Sequence, residues 1–125
     1  ALNRTDTGRC YEEKAASYLT EHGFTILERN FRCRRGEVDI IGIHENCLVF
    51  VEVKYRKNER AGMPEEAVGV RKQYKICKTS DYFRVGHRKY EALQVRYDVV
   101  AVLGEEIRWH RDAFPYLAGK GSTCW

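Results

Sequence analysis

The sequence predicts an α/β domain, a mixed β-sheet flanked by helices, on three observations. Two strand-like runs, 38–43 and 48–55, stand only four residues apart; a helical segment follows them; and 95–103 is a nearly unbroken β-branched run. A connection that short makes an antiparallel hairpin. A strand, a helix and another strand make a right-handed crossover, which places the last strand parallel to the second hairpin arm. A continuous apolar strand belongs in the middle of a covered sheet.

The elements follow in order. Thr5-Asp6-Thr7-Gly8 offers N-cap chemistry for a first helix, and Gly23 supplies its stop. Between them Tyr11, Ala15, Ala16, Tyr18 and Leu19 recur at helical spacing. Residues 24–31 read as the first strand, and the hairpin turns at His44-Glu45-Asn46-Cys47. Pro64 can start a second helix, with Ala67, Val70, Tyr74 and Cys77 as its apolar stripe. Ile107-Arg108-Trp109 adds a short edge strand.

A chain of 125 residues makes one domain, 1–125, with 1–7 and 115–125 expected as loose termini. Its 43% hydrophobic and 32% charged residues exclude a disordered chain. No apolar stretch approaches the roughly 20 residues of a membrane span, and no signal-type segment opens the chain, so a cytoplasmic location is expected. The five cysteines are odd in number and never at C-x-x-C spacing. They read as reduced thiols, with neither a disulfide framework nor a zinc site.

The net charge of +4 decides little, but its distribution is uneven. Arg29, Arg32, Arg34 and Arg35 cluster, as do Lys54, Arg56, Lys57 and Arg60, then Arg71, Lys72, Lys75 and Lys78. Such grouping suits a polyanion and a solvated basic surface about equally. If nucleic acid binds, Arg34, Arg35, Arg56, Lys72 and Lys75 are the expected phosphate contacts.

The hairpin carries the chemistry. A symmetric register sets Ile43 against Leu48, Ile41 against Phe50, Asp39 against Glu52 and Glu37 against Lys54, all on one face. Val38, Ile40, Gly42, Val49, Val51 and Val53 form the other face, which has no polar side chain and is expected to be core. Asp39 and Glu52 would then repel by roughly 4 kcal/mol at about 4 Å and an effective dielectric of 20. Three remedies exist: a raised pKa, a salt bridge, or a divalent cation. Lys54 could serve the second. Glu12 argues for the third, because it stands within the first helix's apolar stripe, where a lone carboxylate is out of place. Three acids and a lysine suit phosphodiester hydrolysis, with Mg²⁺ or Mn²⁺ held by carboxylates and the lysine balancing charge on the phosphate.

Gly36-Glu37-Val38-Asp39-Ile40-Ile41 with Phe50-Val51-Glu52-Val53-Lys54 resembles the split D…(E/D)-x-K signature of restriction-endonuclease-like nucleases. Gly8, Glu12, Ala15 and Leu19, the segment Glu28-Arg29-Asn30-Phe31-Arg32, and Val95-Arg96-Tyr97-Asp98-Val99-Val100 add a narrower resemblance to the bacterial YraN-like family. That family is similar to archaeal Holliday-junction resolvases. The resemblance covers residues 8–114. It implies a restriction-endonuclease-like fold and a metal site at Asp39, Glu52 and the Val53 carbonyl, with Glu12 assisting and Lys54 catalytic. It also implies a homodimer, and DNA, branched or otherwise non-duplex, as substrate.

Two other readings stay open. Asp39, Glu52 and Lys54 could be an ion-pair ladder on a hairpin surface, in a nucleic-acid-binding module that does not cut. An RNA-directed nuclease fits the same residues. Glu37 is best read as an ion-pair partner of Lys54 or a nearby arginine, and Asp98 as a buried partner of Arg96.

Overall fold

The computed structural model of the protein describes residues 4–56 and 68–118, with side chains over 10–55 and 68–118. Helix α1 (Arg4–Glu21) is followed by β1 (Thr25–Cys33), β2 (Gly36–His44) and β3 (Cys47–Arg56). Helix α2 (Val70–Gly86), β4 (Gln94–Leu103) and β5 (Glu106–His110) complete the fold. The five strands form one sheet in the order β1-β2-β3-β4-β5. All neighbours are antiparallel except β3 and β4, which run parallel, as the crossover requires. The mixed sheet flanked by helices is the fold class the sequence predicts.

α1 is described from Arg4, so Thr5-Asp6-Thr7-Gly8 lies within the helix and not ahead of it. The expected stop holds. Gly23 takes a φ of 90°, and the Phe24 N–H returns to the Leu19 carbonyl at 3.0 Å. The hairpin turn is tighter than four residues. Glu45 and Asn46, with φ of 49° and 63°, form the turn alone, and His44 pairs with Cys47. Two left-handed residues match the twist of the strands they join. The register is the expected one from this end as far as Ile40 and Val51.

Both faces of the sheet are core. On one side Ala15, Ala16 and Leu19 of α1 pack on Ile40, Val49, Val51 and Val100. On the other, Ile76, Cys77 and Phe83 of α2 pack on Ile41, Leu48, Phe50 and Val99. Val38 belongs with this second set and not with Ile40. Gly42 is where α1's end presses on the sheet: a Cβ there would run into Phe24 and the Thr25 carbonyl.

The stripe of α2 also differs from expectation. Cys77 is buried, but Val70 is 72% exposed and Tyr74 36% exposed. The helix turns Ile76, Thr79, Ser80 and Phe83 inward instead. Pro64 and Ala67 lie outside the described residues. Residues 115–118 are not loose. The Leu117 N–H donates to Cys77 Sγ at 3.3 Å and the Tyr116 hydroxyl to Asp81 at 2.7 Å, so this segment is fastened to α2.

Asp98 is fully buried and fully partnered. It accepts from Arg96 Nε and Nη2 at 2.9 and 2.8 Å, from Trp109 Nε1 at 2.8 Å and from the Asp112 N–H at 2.9 Å. That arrangement is the buried ion pair expected of it, and Trp109 packs against the α1-side core.

Candidate active site

The end of the hairpin away from its turn is where the acids meet. β2 and β3 stop pairing after Ile40 and Val51. From there the Asp39 side chain makes the link in place of backbone: its Oδ2 accepts the Val53 N–H at 2.8 Å. The charge of Glu52 acts on Asp39 from the neighbouring strand. Burial first, and then the charge of Glu52, push the Asp39 carboxyl from 3.8 to about 8, against the pull of the Val53 N–H. Asp39 therefore keeps its proton at neutral pH.

Glu52 is only 4% exposed and carries two ammonium partners on one oxygen. Lys54 Nζ is 3.3 Å from Oε2, and Lys72 Nζ, reaching over from the first turn of α2, is 3.1 Å away. Burial alone would lower the Lys72 ammonium, but Glu52, Asp39 and Glu37 outweigh it and hold the pKa above its ordinary value. Two of the three remedies for the acid pair are thus in place, a raised pKa and a salt bridge.

Glu12 stands close enough to act on both acids. Burial raises its carboxyl, with Glu37 and Glu52 adding to the rise, while Arg29 and a hydrogen bond from Asn30 oppose it. Among the described residues no three His, Cys, Asp or Glu side chains form a ready-made metal cluster. The arrangement is a tight pair, Asp39 and Glu52, with Glu12 beside it.

The basic residues divide. Lys72 and Lys75 line a cleft of about 380 Å³ together with Arg32 and Glu37, and Lys72 joins that cleft to Glu52. Arg34 and Arg35 are exposed in the β1–β2 turn. The Arg56 side chain, Lys57 and Arg60 lie outside the described residues. Arg29 pairs with Glu13 at 2.7 Å, Arg32 with Glu37 at 3.0 Å, and Lys78 is buried, so these three do not form an open basic face. The Arg32 pairing is the role expected of Glu37.

Sequence reasoning missed Lys72 as a partner of Glu52. A signal for it was present: Lys72 stands four residues before Ile76, on the same helical stripe as Thr79 and Phe83. Registering α2 on that stripe would have turned Lys72 toward the sheet.

Comparison with known proteins gives the chain its relatives. A UPF0102 protein of Lachnoclostridium phytofermentans is 47% identical over 113 residues, covering 90% of this chain and 96% of that one. Another from Cytophaga hutchinsonii is 42% identical over 109 residues, covering 87% and 95%. Among solved structures, a repair endonuclease from Pyrococcus abyssi matches with a TM-score of 0.39 and 20% identity, over 84% of this chain and 40% of that one. The model of the uncharacterised protein family UPF0102 matches residues 11–102. With relatives this similar along nearly its whole length, the chain belongs to the UPF0102 family, the YraN-like family its motifs resemble.

Proposed function

We propose that this protein is a Mg²⁺- or Mn²⁺-dependent endonuclease that hydrolyses DNA phosphodiester bonds, at branched or otherwise non-duplex sites. The observation that carries the reading is the buried Asp39–Glu52 pair. Two carboxyls pressed together until one keeps its proton to about pH 8 are a costly arrangement for structure alone. Their hard oxygen donors suit a small divalent cation, and Asp39, Glu52, the Val53 carbonyl and Glu12 would hold it. Such an ion, when bound, polarises a phosphoryl oxygen and lowers the pKa of its water. Asp39 has to release its proton for this, and Glu52 has to loosen its ammonium contacts. Lys54 and Lys72 would then face the phosphate and balance the charge that grows on it. Lys75, in the cleft beside Lys72, and Arg34 and Arg35 in the neighbouring turn would hold flanking phosphates.

One observation favours a second reading, a nucleic-acid-binding module that does not cut. Glu52 is salt-bridged by two lysines, so the pair is better compensated than a single lysine would allow. Cleavage assays separate the readings: junction, flap, single-stranded and duplex DNA, and matched RNA, each with Mg²⁺ or Mn²⁺. The nuclease reading expects metal-dependent cutting of at least one DNA substrate and none by Asp39→Asn. Binding without cutting by the wild type would support the module, and preferential cutting of RNA would move the substrate. The resolvase resemblance adds a homodimer to the proposal, which light scattering of the purified protein tests.

A further inference from the structure

Tyr11 and Tyr55 take no part in the site described above, yet their rings stack, with centroids 3.7 Å apart and planes within 10°. Tyr11 stands on α1 next to Glu12, and Tyr55 on β3 next to Lys54. Each element therefore brings an aromatic ring one residue from a side chain of the acid site. Both tyrosines are half-buried, and neither belongs to the core cluster on either face of the sheet. A tyrosine joins an apolar ring to a polar tip, which suits a surface that is wet until something docks on it.

Side chains alternate along β3, so Val51, Val53 and Tyr55 face α1 while Glu52 and Lys54 face α2. Tyr55 is two residues beyond Val53, roughly 7 Å along the strand from the N–H that holds Asp39. That is about two steps of a stacked nucleic-acid strand, at about 3.4 Å per step. The open end of the hairpin thus carries unlike surfaces on its two sides. Toward α2 stand Lys54, Lys72 and Lys75, which suit phosphates. Toward α1 stands the ring pair, with Lys14 Nζ 6.0 Å from the Tyr11 centroid and 3.9 Å from the exposed Glu105. A strand crossing that end would bring its backbone to the lysines and its bases to the rings. Paired bases are stacked in their own helix, whereas an unpaired base has a free face that an aromatic ring can cover. We infer that Tyr11 and Tyr55 are a stacking platform for an unpaired base, which makes single-stranded or splayed DNA the substrate class of this site. Every base has such a face, so the platform selects unpaired strands without selecting sequence. The inference rests on the nuclease reading, whose substrate it narrows.

The test measures binding by the full chain in EDTA at low salt. Its probe is a single-stranded oligonucleotide carrying one 2-aminopurine, a fluorescent base whose emission is quenched by stacking. A hairpin-closed duplex of the same sequence is the comparison. The wild type should bind the single strand and quench it. Tyr11→Leu should bind it about five- to a hundredfold more weakly and quench it less, the range typical of one lost base stack. Tyr11→Phe keeps the ring and should behave as the wild type. Duplex affinity should be the same in all three. Melting curves check each fold, and Tyr55→Leu carries the same expectation should Tyr11→Leu not fold. Unchanged single-strand affinity in the leucine variant, or equal losses on single strand and duplex, would overturn the platform. So would a wild type that neither binds nor quenches the single strand. Cleavage with Mn²⁺ is scored apart: a wild type that cuts nothing removes the nuclease reading, while quenching that depends on Tyr11 would still support the platform.

Discussion

Lys72 Nζ on α2 lies 3.1 Å from Glu52 Oε2 on β3, so the helix that covers one face of the sheet also closes the acid pair. Lys54 approaches the same oxygen from its own strand at 3.3 Å. The two lysines are placed alike relative to Glu52 and differ in what carries them.

Lys54→Ala and Lys72→Ala should each lower cleavage, by about 10²- to 10³-fold in kcat if the ammonium stabilises charge in the transition state. Neither is a metal ligand, so Mn²⁺ affinity should hold or rise slightly as an ammonium competitor leaves Glu52. Single-turnover kinetics and calorimetry read the two effects separately. A collapse of metal affinity in either variant would make that lysine part of the scaffold.

The raised Asp39 pKa predicts a pH dependence of stability. Unfolded Asp39 titrates near 3.8 and folded Asp39 near 8. Between those values the folded state binds a proton that the unfolded state has lost, so stability falls as pH rises through the window. Asparagine has the shape of the protonated acid and cannot ionise. In EDTA, Asp39→Asn should gain on the wild type steadily from pH 4 to 8 in urea unfolding. A constant difference across that range would mean that Asp39 is not held protonated.

DNA binding should be weak and steeply salt-dependent. With about three to five phosphate contacts from the cleft and the β1–β2 turn, log K should fall against log[salt] with a slope near −3 to −5. Lys75→Ala should flatten that slope by about one unit and leave metal affinity alone. Fluorescence anisotropy of a labelled junction measures it, and a flat response would remove DNA as the partner.

Gly42→Ala tests the packing that sets β2. Its Cβ would collide with Phe24 and the Thr25 backbone, neither of which can move without dragging the end of α1. The cost should exceed about 3 kcal/mol, at the top of the usual range for overpacking. A melting temperature close to that of the wild type would show that α1 is less firmly seated than its contacts with Phe24 imply.

Much of this was legible in the sequence because it rests on local period and local turn chemistry. The hairpin register followed from alternation and a tight turn, and the parallel placement of β4 from the crossover. Asp98 with Arg96 followed from two charges two residues apart in an apolar strand. What the sequence concealed is where period breaks. Val38 joins the opposite core set from Ile40, and no alternation pattern marks the change between them. The α2 stripe was misplaced by anchoring it on Val70 and Tyr74, apolar residues that the helix leaves outside.

The central claim is that the Asp39–Glu52 pair is built to take a cation, and melting Asp39→Asn with and without metal tests it most directly. In EDTA at pH 7 the asparagine can accept the Val53 N–H and, like the protonated aspartate, sets no charge beside Glu52, so the variant should melt no lower than the wild type. Glu52→Gln is the contrasting control: it leaves Lys54 and Lys72 without their partner and should melt lower. In Mn²⁺ at about a hundredfold excess over its dissociation constant, the wild type should gain roughly 2.7 kcal/mol, or about 10 °C. Asp39→Asn should gain almost none of this, so the order of the two proteins reverses between the buffers. If Asp39→Asn instead keeps the same position relative to the wild type in both, the pair is an ordinary buried ion-pair cluster and the nuclease reading is contradicted.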